Sequence, residues 1–217
     1  MKSILRILGT LLLSSVCTAC GVGSFTSGAY ADVRHRAPPQ PELKRNPTPT
    51  AYELSVTLKD APGPFASIKG FMQYETKLAD PCLPDLGGMA GTRMRIKENV
   101  PFELQQVDAD TYRGVIYTDL FEDHDYFGLG ICHINLVAAR VELRPSGEVD
   151  ESPFIETLNR ERVLQQQPLR SGFLKRQYPD GTMQGAPVPS FREGSPMRAG
   201  VPDENLFGIE LVARKMD

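Results

Sequence analysis

Tryptophan is absent from this 217-residue chain, and histidine occurs only three times and cysteine four. With no row of aromatics beside a carboxylate pair, a glycosidase-type or sugar-binding site has little to build on. No G-x-S-x-G elbow, H-E-x-x-H, P-loop or dinucleotide fingerprint occurs, so the familiar hydrolase, zinc-protease and nucleotide-binding classes lack their signatures. Long apolar runs are also missing. The longest, Ile7-Leu8-Gly9-Thr10-Leu11-Leu12-Leu13, is shorter than the roughly 20 residues a bilayer span needs. An excess of basic charge is absent too. Without Lys2 and Arg6, 22 Lys and Arg face 27 Asp and Glu, a net charge of −5. That balance argues against nucleic acid or anionic lipid as the partner.

What is present begins at the N-terminus. Lys2 and Arg6, the short apolar run and then small residues make an export signal over residues 1–19. Thr18-Ala19-Cys20-Gly21 resembles the lipobox of bacterial lipoproteins, with Cys17 where Leu is preferred. That resemblance implies diacylation of Cys20, and Gly21 in place of Asp leans toward the outer membrane. The competing reading is cleavage after Ala29-Tyr30-Ala31, which gives a freely soluble periplasmic protein. Either address is oxidising. Cys17 and Cys20 belong to the signal, so Cys82 and Cys132 are left and are expected to pair.

Residues 20–50 read as a tether. Gly and Ser dominate its start, Pro38, Pro39, Pro41, Pro47 and Pro49 its end, and Arg34, His35, Arg36, Lys44 and Arg45 supply charge. Such a composition predicts an extended, mobile segment. The folded domain is then 51–217. Tyr52, Leu54, Val56 and Leu58 alternate with polar residues, which predicts a half-buried strand. Further strands are expected over 68–76, 92–97, 100–107, 111–119 and 131–143, with a last one carrying Phe207, Ile209, Leu211 and Ala213 on one face. The runs 100–107 and 111–119 flank Asp108-Ala109-Asp110 as a hairpin. One short helix is expected, capped by Asn159 and ending near Gln165. Residues 168–205 read as one long Pro- and Gly-rich excursion. The fold class is all-β: an antiparallel β-sandwich with one short helix and one disulfide.

The dense polar constellation is Asp119-Leu120-Phe121-Glu122-Asp123-His124-Asp125-Tyr126-Phe127-Gly128-Leu129-Gly130. Four carboxylates lie close together, and something must neutralise or solvate them. Calcium is one reading, but a loop counted from Asp123 has Ile134, not Glu, at its twelfth position. A basic surface on a protein partner is another, with Asp119, Glu122, Asp123 and Asp125 steering and Tyr126 and Phe127 as anchors. A solvated acidic turn is the third. No metal and no cofactor is expected. His133, beside Cys132, reads as a structural histidine in a central strand.

The segment Asp125-Tyr126-Phe127-Gly128-Leu129-Gly130-Ile131-Cys132-His133, with Asp80-Pro81-Cys82-Leu83-Pro84 and Leu206-Phe207-Gly208-Ile209-Glu210-Leu211-Val212-Ala213-Arg214, resembles small exported lipoproteins of Gram-negative bacteria. Some of these are similar to immunity proteins that accompany antibacterial secretion-system effectors. The resemblance spans most of residues 52–214. Ile134 stands where an aromatic is expected, a departure that bears on packing. The resemblance implies a non-enzymatic periplasmic protein that binds and blocks a toxin acting on the envelope, touching the membrane only through its N-terminal lipid. It also implies that Cys82 and Cys132 form the family bridge. The alternative in a different class is a structural or assembly lipoprotein docking on an envelope complex.

Overall fold

The computed structural model of the chain describes residues 38–87, 91–179 and 185–217. The signal segment 1–19, Cys20 and the tether through residue 37, His35 included, lie outside the described residues. The strands are β1 Ala51–Lys59, β2 Ser67–Glu75, β3 Lys97–Phe102, β4 Gln105–Gln106, β5 Thr111–Tyr117, β6 Asn135–Arg144, β7 Phe154–Asn159, β8 Leu169–Leu174, β9 Phe191–Arg192 and β10 Leu206–Lys215. A single α-helix, α1 Arg160–Gln165, is found among the described residues. One sheet runs β4-β5-β1-β10-β8-β9 and the other β3-β2-β6-β7. All the strand pairings are antiparallel.

Alternation decides which face each strand buries. Tyr52, Leu54, Val56 and Leu58 of β1 and Phe207, Ile209, Leu211 and Ala213 of β10 are buried, and the register sets Val56 opposite Leu211 and Leu58 opposite Ile209. Because successive side chains leave a strand on opposite faces, both inner rows point to the facing sheet. That sheet answers with Met72 and Tyr74 of β2, Leu136, Ala139, Val141 and Leu143 of β6, and Phe154 and Leu158 of β7. Together they form one core between the layers. At the end away from α1, the rings of Phe65, Phe154, Phe173, Phe207 and Tyr178 pack mostly edge to face, with centroids 5.2–6.4 Å apart.

Several elements depart from the expectation. The run 100–107 is not one strand. β3 pairs with β2 in one sheet, and β4 pairs with β5 in the other. The chain therefore changes sheets at Glu103 and Leu104, which shortens the 108–110 hairpin to a two-residue arm. Residues 92–96 lack a strand; Arg93 bridges to Asp85, and Thr92, Met94 and Ile96 hydrogen-bond to Leu86, Pro84 and Thr76. β6 starts at Asn135, and 131–134 is extended chain leading into it. β7 and β8 were not foreseen. β8 and β9 lie inside the expected 168–205 excursion, whose residues 180–184 lie outside the described residues. There Arg170 binds Glu210, Tyr178 Oη donates to the Pro64 carbonyl, and Arg198 pairs with Asp203. The helix does form, with Asn159 Oδ1 accepting from the Arg162 N–H at 3.0 Å.

Candidate functional site

The acidic segment joins β5 to β6 and is fastened at both ends. Asp119 opens it and points at the chain upstream: its carboxylate accepts from the Thr50 N–H at 2.6 Å and the Thr50 hydroxyl at 3.0 Å. Asn46 donates through Nδ2 to the Asp119 carbonyl at 2.9 Å, and its N–H donates to the Leu120 carbonyl. The Glu122 N–H donates to the Lys44 carbonyl at 2.9 Å. Phe121 is buried, with its ring edge to face with Tyr74 at 5.1 Å and the Arg45 guanidinium 5.0 Å from its centroid. Residues 43–50, at the end of the segment read as a tether, are thus strung along 119–122. Leu43 packs against the core.

At the far end, His124 and Cys132 exchange backbone hydrogen bonds of 3.3 and 3.0 Å, closing residues 124–132 into a compact loop. Cys132 is disulfide-bonded to Cys82, with 5.3 Å between their Cα atoms, the pairing expected from the sequence. Inside the loop one Asp125 oxygen accepts from the backbone N–H groups of Phe127, Gly128 and Leu129 at 3.2, 2.7 and 3.1 Å. Desolvation acts upward on this carboxyl. The N–H groups of Gly128, Phe127, Gly130 and Leu129 outweigh it and hold Asp125 below its ordinary value. Gly128 at φ +72° and Gly130 at φ +118° supply the left-handed backbone that lets the N–H groups converge.

Tyr126 faces inward. Its hydroxyl donates to the Glu122 carbonyl at 3.0 Å and accepts from the Lys44 N–H at 3.3 Å, and its ring meets the His124 ring at 5.1 Å. Desolvation, reinforced by the charges of Glu122 and Asp123, raises its pKa. Phe127 is partly buried against the core. The carboxylates therefore do not converge. Asp119 turns to Thr50, Asp125 to its own loop, and Asp123 to His133, whose Nδ1 lies 2.6 Å from Asp123 Oδ2. Among the described residues no group of three or more His, Cys, Asp or Glu is placed to hold a metal ion.

Three of the residues expected to meet a partner thus have internal work: Asp119, Asp125 and Tyr126 build the loop. Asp123 is open to solvent, and so is His133, which precedes β6 and is therefore not within the central strand of the sequence reading. Cys132 and Ile134 point inward, so His133 between them points out, a consequence of alternation that could have been read from the sequence. Leu129 and Ile131, overlooked as site residues, are 52% and 53% exposed. The loop thus presents two aliphatic side chains beside a carboxylate–imidazole pair, on a frame held by a disulfide, a carboxylate cap and the strand-like docking of 43–50. Cys132, next to His133, is locked in its bridge and offers no thiol.

Comparison of the chain with protein-family models, curated proteins and solved structures finds no match. No helix among the described residues is long and apolar enough to cross a membrane.

Proposed function

We propose that this protein is a non-catalytic, lipid-anchored periplasmic lipoprotein that recognises another protein, and that it acts as an immunity protein inhibiting a cognate antibacterial toxin. The observation that supports recognition is the 119–133 segment. Its polar groups are largely consumed in holding its own shape, yet it leaves Leu129, Ile131, Asp123 and His133 facing solvent. A rigid loop with exposed aliphatic side chains loses little conformational entropy on binding, which favours specific association. The toxin part of the reading rests on the sequence resemblance.

The test is capture with the tagged full-length chain from the source bacterium, read by mass spectrometry and repeated with Asp123→Lys and with Leu129→Asp. One secreted enzyme recovered in equal amount, inhibited in the complex and lost from both variants, is the expected outcome. A loss of at least tenfold in affinity, about 1.4 kcal/mol, is expected for each variant. Recovery of resident envelope proteins instead, with an envelope defect on deletion in the absence of any toxin, points to an assembly lipoprotein.

A further inference from the structure

The chain ahead of β1 and the first limb of the acidic loop are joined group by group. The Thr118 N–H donates to the Thr50 carbonyl at 3.1 Å, the Asn46 N–H to the Leu120 carbonyl at 2.9 Å and the Glu122 N–H to the Lys44 carbonyl at 2.9 Å. Arg45 and Phe121 form an antiparallel bridge. The Tyr126 hydroxyl accepts from the Lys44 N–H and donates to the Glu122 carbonyl, so one phenol ties both sides. Further upstream, Gln40 Nε2 donates to the Arg95 carbonyl at 3.0 Å.

This strap is held differently from the strand it leads into. β1 buries Tyr52, Leu54, Val56 and Leu58. In residues 40–50 the apolar side chains are three prolines and Leu43, which is only partly buried against the core. Lys44, Arg45, Pro47 and Thr48 are exposed. A segment with few buried apolar contacts and solvent-exposed hydrogen bonds opens at a lower free energy than the core. Pro41, Pro47 and Pro49 fix φ, so the strap gains less conformational freedom on leaving, which favours its return.

Opening would strip the first limb of the loop. The Asp119 carboxylate would lose Thr50, the Glu122 N–H would lose the Lys44 carbonyl and Tyr126 would lose the Lys44 N–H. The second limb is held separately, by the Cys82–Cys132 bridge and the His124–Cys132 hydrogen bonds. We infer that residues 40–50 are a releasable strap whose docking sets the shape of residues 119–126, so that strap and limb open and close as one unit ahead of the domain. Such coupling is reciprocal, and a change that loosens the limb loosens the strap. The N-terminal chain enters the domain through this strap, so a pull or a competing contact on that chain reaches the loop before the core. On the recognition reading above, strap docking then decides whether the loop is shaped for a partner.

The test is amide hydrogen exchange of the full-length protein, resolved to residues by fragmentation mass spectrometry. Wild type is compared with an Asn46→Ala, Thr50→Val double variant and with Asp125→Ala. The double variant removes the strap's two side-chain donors to Asp119 and leaves the limb's own residues in place. In wild type, Asn46 and Glu122 should be protected alike, and less than Val141 in β6. In the double variant, exchange at both should rise at least tenfold with Val141 unchanged. In Asp125→Ala, exchange at Lys44 and Asn46 should rise as well, although the Asp125 carboxylate bonds only within its own loop. Glu122 unmoved in the double variant, or Lys44 and Asn46 unmoved in Asp125→Ala, overturns the coupling. Strap amides as protected as Val141 show that the strap opens only with the whole domain, which overturns its release. Exchange is read on the protein alone, so either failure leaves the recognition reading standing, and failure of partner capture leaves the strap.

Discussion

The inner rows of β1 and β10 and those of β7 and β8 belong to the same core but are built differently. β1 and β10 bury an unbroken aliphatic and aromatic series. β7 buries Phe154, Glu156 and Leu158 in alternation, and β8 buries Leu169, Ser171 and Phe173. Glu156 is 1% exposed, and neither of its carboxylate oxygens has a hydrogen-bond partner; the Ser171 hydroxyl is buried and unpartnered as well. The two strands run oppositely across the sandwich, since β7 enters α1 and β8 leaves it. Phe154 and Phe173 meet with ring centroids 5.4 Å apart. Glu156 and Ser171 each lie one inward position nearer the helix, so both polar groups fall in one layer. A buried polar group without a partner costs about 1–3 kcal/mol by mutational measures. One half of the core is therefore assembled for stability, and the other carries a polar layer that works against it.

Substitutions in the two halves should move stability in opposite directions. The largest effect is expected from Leu211→Ala on β10, fully buried opposite Val56 and Leu169. It should cost about 3–4 kcal/mol, read as a lower denaturant midpoint at unchanged slope. Glu156→Leu should raise stability by about 1–3 kcal/mol, because it removes two unpartnered oxygens and extends the apolar row of β7. Ser171→Ala should follow with a gain of about 1 kcal/mol or less. A double variant whose gain falls short of the two single gains would show that the two groups share one layer. If Glu156→Leu instead destabilises, the polar layer contributes to the fold and the contrast between the halves fails.

The same contrast explains what the sequence made legible. Unbroken alternation exposed β1 and β10, and the two cysteines left outside the N-terminal segment pointed to the bridge. β7 and β8 were missed where Glu156 and Ser171-Gly172 put polar or small residues at or beside inward positions, so neither run carries a clean period-two signal. Their strand character comes from tertiary pairing with β6 and β10. The sheet change at Glu103 and Leu104 was equally silent, since extended chain looks alike in either sheet. For the site, charge density located the 119–130 segment but not the role of each carboxylate. That Asp119 caps Thr50 depends on a residue 69 positions away, which no local pattern reports, whereas Asp125 caps N–H groups two to four residues on, a local turn pattern that charge density alone does not single out.

The smallest expected effect lies on the outer face of β10 and concerns pH. Glu210 accepts from Arg170 Nε at 3.0 Å and Lys59 Nζ at 2.8 Å, binding together β8, β10 and β1. The Arg170 hydrogen bond, then that of Lys59, holds its carboxyl below the ordinary value of 4.5. A carboxyl with a depressed folded-state pKa stabilises the fold above its unfolded value and loses that contribution as pH falls through the folded one. The pair should therefore support the sheet at neutral pH and fade below about pH 4.5. Half-exposed partners and solvent screening keep the effect under about 1 kcal/mol. Glu210→Gln should lower stability slightly at pH 7 and flatten its decline in acid, measured as denaturant midpoints from pH 7 to pH 3. A wild-type decline equally steep in Glu210→Gln would assign the acid sensitivity to other carboxylates. Asp125 is the first of these to examine, since its pKa is also depressed and its cap holds the exposed loop.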